Sequence, residues 1–274
     1  MYDDHDDLDV RLHRIRGSLP PKRHNARTVA ALTNNPGCAR RAVLDAAGVD
    51  KERLARRVGF PAPFGQSQFA ISQGNAFEAQ VKANGCAELL RLLRELLDLD
   101  LAEVAYADLE TAGGNDGQEV RHAYARNLLS RAAADGGGTL FDHPLLRLDV
   151  GGRDVYLEPD LVAFQHAGMF HVVEIKSFPV IDGQADGGKV AAAAIQSAVY
   201  VLALRRMLGE DRVSHDVVLV CPKDFSNTPV AATVDVRKQL IVLGHQLTRL
   251  ARIESLLDAL PVDLSLDLAE DDDG

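Results

Sequence analysis

Residues 157–177 read LEPDLVAFQHAGMFHVVEIKS. The stretch is strand-like in its Val, Leu, Ile and Phe content, with QHAGM as a short connection between two apolar runs. Four charged side chains interrupt those runs: Glu158, Asp160, Glu174 and Lys176. Side chains two apart on a strand share a face. Glu158 and Asp160 therefore share one face of the first run, and Glu174 and Lys176 one face of the second. A connection centred on Ala167 sets Asp160 directly across from Glu174. Opposed residues of an antiparallel pair point to the same side, with Cβ atoms about 4.5–5.5 Å apart. Two acids at that distance repel. A hard divalent cation such as Mg2+ or Mn2+, held by oxygen ligands, resolves the conflict. A solvated sheet face carrying a Glu–Lys pair accounts for the same spacing without an ion.

Working outward, HPLLRLDV (143–150), the glycines Gly151-Gly152 and RDVYLEPDLVAF (153–164) predict a hairpin with a tight turn. After FHVVEIKSF comes a polar, glycine-rich loop whose segment 182–188 borders the charged face. KVAAAAIQSAVYVLALRRML (189–208) predicts a helix, HDVVLVCPK (215–223) and VAATVDV (230–236) two more strands, and RKQLIVLGHQLTRLARIESLLDAL (237–260) a closing helix. The N-terminal half is helical in pattern. It has two short helices over 29–57, broken near Asn34–Gly37 and Gly48, a long one from an N-cap at Ser72 to about Leu99, and one over 119–134. The expected fold is therefore α/β: a mixed β-β-β-α-β sheet at 135–260 with a helical region, 29–134, packing on it.

The hydrophobic and charged fractions, 46% and 26%, are those of an ordinary globular chain. No apolar run approaches the roughly 20 residues that span a membrane. The acidic start MYDDHDDLD resembles neither a signal nor a transit peptide, so a cytoplasmic location is the expectation. The net charge of −10 is concentrated at the ends: five Asp in residues 1–9, four Asp and one Glu in 267–273. Such tails are usually solvated, so 1–28 reads as a flexible lead-in and 261–274 as an acidic tail. Arg11–Arg27 carries six Lys/Arg and no acid, either a solvated basic segment or a nucleic-acid contact. Three distant cysteines, Cys38, Cys86 and Cys221, make no disulfide framework and too few ligands for a four-thiolate centre.

Pro159-Asp160, then 13 intervening residues, then Glu174-Ile175-Lys176 resembles the PD-(D/E)xK nuclease motif. Upstream, Gly74-Asn75-Ala76-Phe77-Glu78 resembles the G-x-x-[FV]-[EH] helix element of RecB-like nucleases. Downstream, Gln196-Ser197-Ala198-Val199-Tyr200 resembles their Q-x-x-x-Y helix motif. The likeness covers about residues 68–222 and reaches the RecB-type exonucleases and CRISPR-associated RecB-like nucleases. Many of the latter carry a four-cysteine iron–sulfur cluster; Cys38 resembles its first ligand, but only Cys221 follows the core, which argues against the cluster here.

The resemblance implies a restriction-endonuclease-like core and hydrolysis of DNA phosphodiesters, with RNA a weaker option, in a defence or repair setting that brings protein partners. It implies Asp160 and Glu174 as ligands of Mg2+ or Mn2+, with the Ile175 carbonyl as a third and Glu78 completing the shell. Lys176 would orient or activate the attacking water and stabilise developing charge. Gln196 and Tyr200, four apart on one helix face, would line the site. His171 falls on the face away from Glu174 and reads as structural; Glu158 reads as solvated, and Lys223 and Arg153 as surface charges. A second function stays open, a catalytically silent nucleic-acid-binding or scaffolding module on the same fold.

Overall fold

The computed structural model describes residues 4–22, 24–34, 38–61, 68–100, 103–110, 117–151, 153–157, 161–250 and 253–269. The chain divides into two units. One comprises 1–65, 149–155 and 242–274, the other 66–148 and 156–241. These units cut across the expected boundaries. The helices of 26–57 belong with the chain's two ends, and those of 68–135 belong with the sheet.

The first unit is helical: α1 (Asp4–Arg16), α2 (Ala26–Asn34), α3 (Ala39–Ala47) and α4 (Lys51–Arg57) come from its N-terminal part. Residues 4–16, expected as flexible, form a helix because Leu12 and Ile15 fall on one stripe. That stripe is buried with Val43, Ala47, Val49, Ile253, Leu257 and Leu268. The basic segment is correspondingly engaged: Arg11 pairs with Asp258 at 2.8 Å, and Arg16 donates to the carbonyls of Leu19 and Ala47. The expected acidic tail is anchored through residue 269. Leu268 is buried and Leu266 N–H donates to the Ile15 carbonyl. Three helices, α2, α3 and α4, rather than two fall within 26–57, and α4 follows an N-cap at Asp50, whose side chain accepts from the N–H groups of Glu52 and Arg53.

The second unit is mixed α/β. Its elements are α5 (Gln68–Leu96), β1 (Ala105–Asp108), α6 (Gln118–Asp135), β2 (Thr139–Asp142), β3 (Leu146–Val150) and β4 (Arg153–Leu157), the last two running through the boundary with the first unit. Then come β5 (Leu161–His166), β6 (Met169–Ile175), the two-residue strands β7 (Val180–Ile181) and β8 (Gln184–Ala185), α7 (Gly187–Leu208), β9 (Asp216–Lys223) and β10 (Thr228–Asp235). The helices α8 (Arg237–Leu250) and α9 (Ile253–Leu257) close the chain. Among the described residues, eight strands form one sheet in the order β1-β2-β5-β6-β9-β7-β8, with β10 along β9, while β3 and β4 pair as a separate hairpin. Pairing is mixed: β6 runs parallel to β9 across α7, and β5–β6 and β9–β10 are antiparallel.

Three expectations change. RDVYLEPDLVAF is two strands, β4 and β5, in different sheets; Glu158, Pro159 and Asp160 between them lie outside the described residues. The β5–β6 register is displaced by one, setting Leu161 rather than Asp160 across from Glu174. The cause is the turn. Its centre lies between Ala167 and Gly168, both at positive φ (49° and 76°) as a two-residue type I′ hairpin turn requires. The loop after Lys176 contains the small β7–β8 hairpin, with Asp182 and Gly183 at its turn, also at positive φ.

Two apolar layers sandwich the sheet. On one face Leu140, Phe164, Val173, Val218 and Val220 pack with Phe77, Val81, Cys86, Leu89, Leu92 and Leu93 of α5. On the other, Leu219 and Cys221 pack with Ala193, and Phe178, Val180, Val190 and Val234 join them. The alternation Val218/Leu219/Val220/Cys221 fixes the assignment of faces. Helix α5 begins at Gln68, ahead of Ser72, and is broken at 83–86, where Asn84, Gly85 and Cys86 take left-handed φ values of 54°, 65° and 63°. Asn-Gly is a turn signal that the leucine stripe conceals. Helix α7 is long and apolar enough to cross a membrane, with a mean hydropathy of 1.4; half of that window is buried inside the protein, against the sheet.

Candidate active site

Strand β6 carries Glu174 and delivers Lys176 just past its end. The parallel pairing holds this end through Lys176 N–H, which donates to the Val220 carbonyl at 2.9 Å. Val173 and Ile175 point into the α5-side core, so Glu174 and Lys176 emerge on the α7 side by alternation. Glu174 is 4% exposed, and its carboxylate forms an ion pair with the Lys176 ammonium.

Helix α7 supplies the next two residues. Asp186 caps it, accepting from Lys189 N–H at 2.8 Å. Small residues on its buried face, Ala193, Ala194, Ser197 and Ala198, let it approach the sheet closely. Gln196 and Tyr200 follow one helical turn apart. Lys176 Nζ donates to Gln196 Oε1 at 3.3 Å, and Gln196 Nε2 donates to the Tyr200 hydroxyl at 3.4 Å. Thus Glu174, Lys176, Gln196 and Tyr200, expected as site residues, form one continuous polar chain beside β6. Asp160, expected to join them, lies outside the described residues.

Glu78 stands in a second cluster. It is paired with Lys82, one turn further along α5, at 2.5 Å. Lys82 also reaches the buried carboxylate of Asp142, at 2.7 Å. Burial pulls the Lys82 pKa down, but the hydrogen bonds and charges of Asp142 and Glu78 outweigh it, and the net shift is upward. The Tyr106 hydroxyl donates to Asp142 Oδ2 at 2.9 Å, and burial followed by this acid raises its pKa. His143 Nδ1 lies 3.2 Å from Asp142 Oδ1. The helix segment bearing Glu78 also comes close to the end of β6: a Cβ on Gly74 would lie 3.8 Å from Ser177 Oγ.

Lys82, Asp142, Tyr106 and His143 were not legible as site residues. They lie on α5, β1 and β2 and at the end of β2, and no short motif joins them. Two further groups have carboxylate and imidazole atoms close enough to share a cation: Asp108, Glu110 and His143, and His215, Asp216 and Asp235. In the second, Asp235 is already held by Arg237, which lowers its pKa to about 2.

By donor type, the carboxylates of Glu78 and Glu174 suit a hard cation such as Mg2+ or Mn2+. Each already has a lysine balancing its charge. The cysteines are dispersed. Cys86 lies in the α5-side core and Cys221 in the α7-side core; burial raises their pKa values to about 11 and about 12. Cys38 is exposed.

No family model matches this chain, and no curated protein matches it. Among solved structures, one titled "Crystal structure of SSO0001" aligns over 89% of this chain and 85% of its own, with 12% identity and a TM-score of 0.33. A likeness that slight carries no argument. What the fold and the polar chain define is a mixed α/β protein with an acid–lysine–glutamine–tyrosine constellation at one strand end.

Proposed function

We propose that this protein is a divalent-metal-dependent nuclease that hydrolyses DNA phosphodiester bonds, on a restriction-endonuclease-like core of the RecB branch. The observation that carries the reading is the chain Glu174–Lys176–Gln196–Tyr200. It joins the strand motif to the helix motif, although the two are separated in sequence by the β7–β8 hairpin.

The residues divide the labour as follows. Lys176 holds a cation where negative charge develops on the phosphate and where a water would lose its proton. Gln196 accepts from the Lys176 ammonium and restricts its swing, and Tyr200 fixes Gln196 in turn. Glu174, with Asp160 and Glu78, would hold Mg2+ or Mn2+, which when bound supplies Lewis-acid charge to the phosphate and lowers the pKa of a bound water. Glu78 is held for this by its ion pair with Lys82, which Asp142 anchors from the other side and which limits its rotamers. The donor set contains no thiolate, so the reading needs no iron–sulfur cluster.

The test is incubation of linear, circular and single-stranded DNA, and of RNA, with Mg2+ or Mn2+, using wild type, Asp160→Ala and Lys176→Ala. Cleavage by wild type alone is expected. Cleavage that survives both substitutions would sink the site, and no cleavage with either metal would leave a silent binding module on the same fold.

A further inference from the structure

Phe225 is 85% exposed, more than any other large hydrophobic side chain among the described residues. It sits at the tip of the β9–β10 hairpin, beyond the pair Lys223–Thr228. A lone exposed hydrophobic residue needs no explanation. What distinguishes Phe225 is how firmly its tip is held, and by what.

Within the tip, Ser226 N–H and Oγ both reach the Lys223 carbonyl, at 3.2 and 2.8 Å. The Ser226 hydroxyl oxygen accepts from Thr228 N–H at 3.3 Å. Asp224 and Asn227 take left-handed φ values of 51° and 58°, which Asp and Asn tolerate better than most residues. From one side the tip is tied to the loop that follows Lys176. Asp224 N–H donates to the Val180 carbonyl at 2.9 Å, and Asp182 N–H to Asp224 Oδ1 at 3.3 Å. From the other side it is tied to α5: Gln80 Nε2 donates to the Asn227 carbonyl at 3.0 Å. Gln80 is two residues from Glu78. The tip is therefore fastened to the loop that links Lys176 to α7 and to the helix that bears Glu78. Exposed Ile181 lies on β7, and the exposed Lys223 begins the turn.

We infer that Phe225 is a stacking platform for an unpaired base of a nucleic-acid strand entering the site, with Lys223 beside it for the neighbouring phosphate. The inference rests on the nuclease reading for the identity of its ligand. An aromatic ring stacks on any base face, which makes such a contact tolerant of sequence. A ring on a turn already fixed by hydrogen bonds loses little freedom on binding. Asp224, the acid nearest the ring in sequence, turns its carboxylate into the tip toward Asp182 N–H. A duplex keeps its bases stacked on one another, so single strands or frayed ends are the expected ligand.

The chain contains five tyrosines but no tryptophan, so Phe225→Trp introduces a single tryptophan, excited apart from the tyrosines, at the ring's position. The titrant is a short single-stranded oligonucleotide, with EDTA present to prevent cleavage. Expected are quenching of that emission by the single strand and little quenching by the same sequence as duplex. In parallel, anisotropy with a labelled strand should show Phe225→Ala binding about 10-fold more weakly and Phe225→Tyr close to wild type, as loss of one stacked base predicts. Unquenched emission, no binding by wild type, or Phe225→Ala within about twofold of wild type would overturn the platform. Stacking without any metal-dependent cleavage would leave the platform standing and remove the nuclease reading.

Discussion

The Lys82 ammonium stands 2.7 Å from the Asp142 carboxylate, with both side chains almost wholly buried, 11% and 4% exposed. Removing one partner of a buried pair strands the other charge, at a cost of roughly 3–5 kcal/mol; removing both is far milder. Lys82→Met should therefore lower the melting temperature sharply, and Lys82→Met with Asp142→Asn should recover most of the loss. The pH dependence has a definite sign. The folded pKa of Lys82 is raised above its ordinary value of 10.5. The pair's stability is fully present below that ordinary value and is lost as pH rises through the folded one. Thermal melts at alkaline pH should show a decline that the double variant lacks. Equal melting of the single and double variants would deny the coupling.

The same pair shows what the sequence could and could not disclose. Glu174, Lys176, Gln196 and Tyr200 were legible because each sits in a short pattern on one element, and a single βαβ unit joins those elements. Lys82 and Asp142 are 60 residues apart, and nothing local to either reports the other. The register across β5–β6 failed by one residue because it hung on where a turn was centred. Alanine gives no sign that it will adopt positive φ, so Ala167-Gly168 did not read as a two-residue turn. Helix α1 was missed for another reason. Leu8, Leu12 and Ile15 hold a helical spacing, but dense charge made the segment resemble a solvated arm. Strands β1 and β2, four residues each, are too short for alternation to be counted.

Cysteine reactivity should follow burial. Cys86 and Cys221 are buried, and their raised pKa values keep them as thiols at neutral pH, where the thiol is the unreactive form. Cys38 is exposed at the N-cap of α3. Alkylation of native protein near neutral pH, followed by mass spectrometry, should show one adduct on Cys38, with the other two appearing only in denaturant. Protein purified without oxygen should carry no stoichiometric iron or acid-labile sulfide. A cluster signature in its absorbance, or equal labelling of all three cysteines, would contradict this.

His171 supplies an acid-side prediction. Burial pushes its pKa down from 6.5; Asp216 opposes the shift, and His166 adds to it. The unfolded chain then takes up the proton first as pH falls. Stability is full above about pH 6.5 and declines below it until the folded value is passed. His24, in the first unit, is lowered by burial in the same sense. The melting temperature should thus fall between about pH 7 and about pH 5, and His171→Gln should flatten part of that slope. An unchanged slope would show that His171 does not titrate on unfolding.

Gln196 separates positioning from chemistry. Its side chain lies between Lys176 and Tyr200, and it would touch no reacting atom if Lys176 is the group that meets the water. Gln196→Leu keeps the volume but removes the acceptor for the ammonium, while the ion pair with Glu174 remains. The expected result is a fall in kcat of about 10-fold, against 10²–10⁴-fold or so for Lys176→Ala. Tyr200→Phe should cost less than either, because it removes the hydroxyl that holds Gln196 Nε2 and leaves Lys176 its acceptor. The concentration of Mn2+ giving half-maximal cleavage distinguishes the roles. It should stay near the wild-type value in Gln196→Leu and rise in Glu174→Gln and Glu78→Gln, whose carboxylates are the proposed ligands. A rise in Gln196→Leu equal to that in Glu174→Gln would place Gln196 in the metal shell instead, and the ordering Glu174–Lys176–Gln196–Tyr200 would have to be redrawn.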